Sequence, residues 1–211
     1  MCKAGPVSRS IEQPLNARSR RTRQAILAAT RALLEERGLD ALTMAAVAER
    51  VGVSRRGLYL HFASRGELVT ALFDYVAGVE GLERSLEHVW AAPDSPAALT
   101  EWARHLARYH PNVLAVDRAV QQVRTHDPDA RRHSERASAA QLANCRRLTR
   151  WLAEEGRLAE PWTEESGAAL LWSLVSSEVI GGLLEEQGWS REELGERLAL
   201  LYRRTLVAGT R

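Results

Sequence analysis

Between Thr43 and Leu60 the chain carries two short helical segments separated by a single tight reversal, and no other stretch restricts its fold so closely. Met44, Val47, Ala48 and Val51 fall at i, i+3, i+4 and i+7 behind Thr43, a residue that caps helix N-termini. Gly52 permits the positive φ that reverses the chain, and Ser54 caps a second helix running to about Leu60. Ala48 is small enough for the two helices to approach, while Val47, Val53 and Leu58 can bury against a preceding helix. This is the spacing of a helix-turn-helix, a unit that presents the N-terminal residues of its second helix to base edges in the major groove. Hydroxyls and helix N-termini around it are suited to hold phosphates.

The pattern elsewhere is helical throughout. Ile26, Ala29, Leu33 and Leu34 recur at helical spacing from a cap at Thr22 to a stop at Gly38, predicting a first helix over residues 22–37. Ser64 opens a long fourth helix toward Trp90. Beyond Pro93, helices are predicted over 96–109, 112–125, 128–155, 163–187 and 190–207, punctuated by prolines. No strand-like alternation appears, so the expectation is an all-α chain of about nine helices. Residues 1–19, with Pro6, Pro14 and Gly5 among three basic residues, read as a flexible basic arm reaching toward DNA. Residues 20–80 read as the DNA-binding domain and 81–211 as a regulatory and dimerisation domain.

Charge is placed unevenly along this order. Residues 1–75 hold 12 Lys and Arg against 7 Asp and Glu, a net +5, whereas residues 76–211 hold 17 against 20, a net −3. The basic part coincides with the helix-turn-helix, as expected if that segment meets a polyanion. Two cysteines, Cys2 and Cys145, are too few for a disulfide framework and favour a reducing compartment, the cytoplasm. No apolar stretch is long enough to suggest a membrane span or a signal peptide.

Across residues 20–75 the ordered set Ile26-Leu27-Ala28-Ala29, Gly38, Thr43, Val47-Ala48, Gly52-Val53-Ser54, Leu58-Tyr59, His61-Phe62, Ser64-Arg65 and Glu67-Leu68 resembles the TetR/AcrR family of transcriptional regulators. The resemblance implies that Tyr59, His61 and Thr43 contact phosphates, and that Arg65 stands where the family usually has a phosphate-binding lysine. It also implies a homodimer on a palindromic operator, repression as the usual mode, and release by a small-molecule effector. Two departures bear on the operator. Arg56-Gly57 displaces a glycine by one position, so Arg56 can join Ser54 and Arg55 at the DNA, and Leu60 offers a methyl-rich surface suited to a thymine methyl.

Two C-terminal stripes, Leu171, Val175 and Val179 on one helix and Leu194, Leu198 and Leu201 on the next, are expected to form half of a four-helix dimer interface. Their alternative is packing on the chain's own core. Trp102, His105, Tyr109, Gln121, Gln122, Trp151 and Trp172 are the candidates for a mostly apolar effector site with a few orienting polar groups. An all-helical enzyme is the alternative from another class, but the sequence lacks H-E-x-x-H, paired Glu-x-x-His, G-x-S-x-G and phosphate-loop motifs. No cofactor is implied. A sequence-indifferent architectural DNA-binding protein and a ligand-independent regulator are the remaining alternatives.

Overall fold

The computed structural model describes residues 16–209, all of them helix, turn or loop apart from one isolated antiparallel bridge between Leu158 and Val207. The first helix, α1 (Ala17–Ala41), begins earlier than predicted. Asn16, not Thr22, is the cap, its Oδ1 accepting from the Ser19 amide at 2.8 Å, while the Thr22 hydroxyl donates to the Arg18 carbonyl inside the helix. Residues 17–19 of the expected arm are therefore helical, and residues 1–15 lie outside the described residues. Ile26, Leu27, Thr30, Leu33 and Leu34 bury one face of α1, and the helix turns sharply at Gly38.

The helix-turn-helix forms where the sequence placed it. In α2 (Met44–Val51) the Thr43 hydroxyl accepts from the Ala46 amide, and Gly52, at φ 74° and ψ 29°, closes the helix in the left-handed region that only glycine enters cheaply. Ser54 caps α3 (Arg55–Tyr59), accepting from the Gly57 amide. Ser64 caps α4 (Arg65–Val79), and the Glu67 carboxylate returns to the Ala63 amide at 2.7 Å. Val47, Ala48, Leu58, Phe62, Leu68, Leu72 and Val76 bury against the inner face of α1.

Three stretches differ from the sequence reading. The fourth helix stops at Val79 because Gly81 adopts φ 68° and ψ 44°, and α5 (Leu82–Trp90) sets off in a new direction. The two helices expected on either side of Pro111 are one, α6 (Ser95–Val123). Proline removes one backbone donor from a helix interior, but α6 is buried over most of its length and packing on its neighbours holds it helical across the gap. After α7 (Pro128–Glu154), the helix expected over 163–187 breaks into α8 (Glu164–Ser173), α9 (Ser177–Gly181) and a π-helical turn over Gly182–Glu186. Ser176 caps α9, which competes with helix continuation. The last helix, α10 (Arg191–Leu206), is fixed by a reciprocal capping box between Ser190 and Glu193. Among the described residues there are ten α-helices.

Two apolar cores share α6. Its N-terminal half packs Leu99, Trp102, Ala103, Leu106 and Ala107 against α7, α8 and α10, and its C-terminal half packs Val113, Val116, Ala119 and Val120 against α1 and α4. Gly195 lets α10 close on α6, since a Cβ there would lie 3.3 Å from that of Ala107. A polar chain also crosses the molecule: Arg31 pairs with Glu80 at 2.6 Å, Asn112 donates to Glu80 at 2.8 Å, and Arg191 donates to Asn112 at 2.7 Å.

The predicted dimer stripes are corrected here. Leu171, Val175, Leu194 and Leu198 are buried in the chain's own core because α8 lies on α7 and α10 lies on α6, which consumes those faces; Val179 is half-buried and only Leu201 is outward.

The start of α4 touches the α6–α7 corner very closely. The Asp127 Oδ1 accepts from the Ala130 amide at 3.0 Å, and a Cβ on Gly66 would overlap the Asp127 carboxylate. Gly66→Ala should therefore force Asp127 off its cap and cost about 1 kcal/mol in urea unfolding, the usual cost of a lost cap. Adding Asp127→Ala should make the Gly66 change nearly neutral, and full additivity of the two changes would show that they do not touch.

Candidate functional site

The surface around α3 is built from exposed side chains over a rigid base. Thr43, Ser54, Arg55, Arg56, Tyr59 and Leu60 are all exposed, and Tyr59 and Leu60 are large groups left outward at 47% and 68% exposure. Thr43 and Ser54 each accept one backbone N–H as caps and keep a hydroxyl hydrogen to donate outward. Beneath them Leu58 and Phe62 are fully buried. Such a ridge of cations, hydroxyls and one phenol, standing on an apolar foundation, suits a polyanion with readable edges.

Arg23, which the sequence reading passed over, locks that ridge to α1. Its Nη1 donates to the His61 carbonyl at 2.7 Å and its guanidinium stacks 4.1 Å above the Phe62 ring. His61 itself is half-buried, and burial together with nearby Arg23 holds its pKa below the usual histidine value. At neutral pH it can offer a neutral N–H donor, not a cation. Arg65 is corrected: its guanidinium turns inward to donate to the Leu39 carbonyl, and its Nε is buried without a partner. The helix start that resembles a phosphate-lysine position here ties α4 to the end of α1.

A second site lies between α4, α5, α6, α7 and the α8–α9 break. It is a cavity of two lobes, about 410 Å³ and about 310 Å³, that share Phe73, Tyr109, His110, His133, Ala137 and Gln141. The larger lobe is walled by Leu82, Leu86, Trp102 and His105, and the smaller by Asp117, Gln121, Trp172 and several serines. Along α6 the rings of Trp102 and His105 lie 5.2 Å apart and those of His105 and Tyr109 5.6 Å apart, the latter pair nearly parallel. His105 Nδ1 is bonded to the Ser85 hydroxyl, whereas Trp102 Nε1, Tyr109 Oη and His133 Nε2 are buried without partners.

Five of the seven predicted effector residues meet at this cavity: Trp102, His105 and Tyr109 in one lobe, Gln121 and Trp172 in the other. Gln122 is exposed on the opposite face of α6, and Trp151 packs on the core formed with α10. Phe73, His110, Asp117 and His133 were missed. The helical face that carries Tyr109 continues through Val113 to Asp117, so the period of α6 could have supplied Asp117, but nothing local marks His133. Glu101, one turn from His105, pairs with Arg108 at 2.7 Å, and no metal-holding group of His, Cys, Asp and Glu occurs among the described residues. Cys145 is fully buried, its thiol pushed up to about 12 by desolvation, and is inert.

The described residues thus form an all-helical fold with a capped helix-turn-helix at one end and an aromatic cavity in its other core. Residues 26–72 match the family model "Bacterial regulatory proteins, tetR family", so this N-terminal segment is similar to the DNA-binding domain of that family. The HTH-type transcriptional regulator YfiR of Bacillus subtilis is 37% identical over 87 residues, which span 39% of this chain and 42% of that relative. Among solved structures, a transcriptional regulator from Saccharomonospora viridis in complex with choline superposes with a TM-score of 0.75 at 17% identity, over 90% of this chain and 100% of that one. NalD, the secondary repressor of the MexAB-OprM multidrug efflux pump in Pseudomonas aeruginosa, gives 0.68 at 21% identity, over 90% and 98%. At these identities the two structures show a shared fold.

The cavity histidines have a consequence in acid. Burial lowers His105 to about 3 and His110 to about 4, against 6.5 in an unfolded chain. Because the folded values are depressed, the unfolded chain takes up protons first: the neutral histidines contribute fully above pH 6.5, and that stability is lost as pH falls toward 4. Urea unfolding should lose up to about 1.4 kcal/mol per pH unit per histidine in this window, and His110→Asn should flatten the slope between about pH 6.5 and 5. An unchanged slope would mean that His110 is charged in the fold.

Proposed function

We propose that the chain is a DNA-binding transcriptional repressor that pairs with a second copy on an inverted-repeat operator and is released when a small molecule fills the central cavity. The observation that carries this reading is the course of α4. Its first turn is locked into the helix-turn-helix, with Arg65 reaching the Leu39 carbonyl and Gly66 against Asp127, while Phe73, Asp74 and Ala77 on the same helix line the cavity. A ligand that needs more room between α4 and α7 can move one end of this helix only by moving the other, and so changes the spacing of two paired reading helices. The choline held by the Saccharomonospora viridis regulator is a precedent for a ligand in this fold.

Within the reading surface, Tyr59, Thr43 and His61 hold phosphates, whereas Arg55, Arg56 and Leu60 reach base edges. Arg65 leaves the list of phosphate ligands. The chain pairs through the outward sides of α8 and α10, where Trp172 and Leu201 stand 41% and 44% exposed, and not through the buried stripes beneath them. Residues 20–80 act as the reading domain and the remainder as the sensing and pairing domain.

Selection of bound DNA from a random pool should recover an inverted repeat with half-sites about 34–36 Å apart, one turn of the duplex. Tyr59→Phe should weaken the recovered site and random DNA alike, by roughly tenfold, the loss of one hydrogen bond to a charged group. Arg55→Ala should instead flatten sequence preference. Recovery of no preferred sequence would favour the architectural reading. The cavity is tested separately: a compound screen for release of that operator should yield inducers whose effect disappears when Ala137, which lines both lobes, is changed to Trp. About 100-fold weakening of operator binding corresponds to roughly 2.7 kcal/mol of coupling, within the ordinary range. Inducers that act equally on Ala137→Trp would place the effector elsewhere.

A further inference from the structure

The two lobes are chemically unlike, and α6 sets the distance between their characters. Its inner face presents the Trp102 ring and the stacked rings of His105 and Tyr109, and two turns further on presents Asp117. At about 1.5 Å of rise per residue, Asp117 stands roughly 12 Å beyond Tyr109 along the helix axis. The Asp117 carboxylate is half-buried, lines the smaller lobe, and accepts no hydrogen bond and makes no ion pair among the described residues.

The cationic side chains nearby do not compensate it. Arg124, on the same lobe, is exposed and reaches the Ser134 hydroxyl at 3.4 Å, and Arg136, on the other lobe, is exposed at the rim. The lining histidines are held neutral by burial. The Tyr109 hydroxyl is pushed above its ordinary value by burial and then by Glu80, Asp117 and Asp74, which marks a negative field at the junction of the lobes. A ligand that fills the smaller lobe strips water from Asp117, which is costly unless the ligand brings a positive charge or a strong donor. An anion would add repulsion to that cost. The rings at the junction favour a cation as well, since aromatic faces attract ammonium groups.

Resting on the reading of the cavity as the effector site, we infer that its ligand is an amphipathic organic cation: a protonated amine that pairs with Asp117 and carries an aromatic or aliphatic body into the lobe of Trp102 and His105. Anionic amphiphiles such as fatty acids are excluded by the same carboxylate.

The probes are phenylhexylamine, phenylhexanol and phenylhexanoate, each with ring and head at opposite ends of one chain whose length suits the separation. Isothermal titration of the full chain should show the amine binding about tenfold or more tighter than the alcohol, with the carboxylate weakest, as expected for a charge-assisted hydrogen bond. Asp117→Asn should bring the amine to the affinity of the alcohol and leave the alcohol unchanged. Because the carboxylate makes no bond in the fold, that variant should melt with the parent, and Asp117→Ser provides a second test. Ala137→Trp should abolish binding of all three. Equal binding of the three heads, preference for the carboxylate, or an amine indifferent to Asp117→Asn would overturn the cationic ligand while leaving the cavity as the effector site. Amine binding that survives Ala137→Trp would overturn both, and failure of all three to bind would overturn the cationic ligand, with the cavity then judged by the operator-release screen.

Discussion

The burial of one helix, α6, is the constraint on which the rest of the structure depends. Its N-terminal half is the centre of the core with α7, α8 and α10, and its C-terminal half is a wall of the core with α1 and α4. A helix buried on several sides gains most of its stability from tertiary packing, not from propensity. That is why Pro111, which deletes a backbone donor in the middle, does not end it. Because both cores use the same rod, they cannot shift independently. The Arg31–Glu80–Asn112–Arg191 chain reinforces this, running from α1 through the end of α4 and α6 to α10.

The exposed face of α3 depends on this rod at one remove. Residues that face outward on α3 are placed by what lies beneath them: Leu58 and Phe62 in the core, Arg23 over the Phe62 ring, and Arg65 drawn to the end of α1. Two arginines that would suit DNA in isolation are thus spent on holding α3 and α4 against α1. The contact of Gly66 with Asp127 then joins this assembly to the corner between α6 and α7. A domain of this size has few buried residues with which to fix a five-residue helix, and each of these contacts substitutes for core that the segment cannot supply.

The cavity reflects a compromise of a different kind. Close packing is the default of protein interiors, and empty space beside unpartnered polar atoms is costly. Trp102, Tyr109 and His133 each leave a polar atom unbonded around the two lobes, and Asp117 leaves a carboxylate unpaired. Defects of this sort concentrate where a fold is completed by something it binds. The α8–α9 break lies at the same place, with Ser173, Ser176 and Ser177 of that break lining the smaller lobe.

Much of the fold was legible from residue order. Caps at Thr43, Ser54 and Ser64, the reversal at Gly52 and the apolar period of each helix are local properties, set by backbone sterics and side-chain hydrogen bonds that need no distant partner. The exposed set Arg55, Arg56, Tyr59 and Leu60 followed from them. Whether a break signal is obeyed is not local: Pro111 failed to stop α6 because burial outweighed one lost hydrogen bond, while Gly81 and Ser176 did redirect the chain. The apolar stripes of the last helices were visible, but an amphipathic face does not state what covers it, and Leu171, Val175, Leu194 and Leu198 turned to their own core. Arg65 and Arg23 carry charge that reads as surface until the partners at Leu39 and His61 are known. Sequence alone determined the helices, their caps and the ridge of α3; only tertiary structure decided which arginines face outward and which residues from distant helices enclose the cavity, because those depend on burial between segments far apart in the chain.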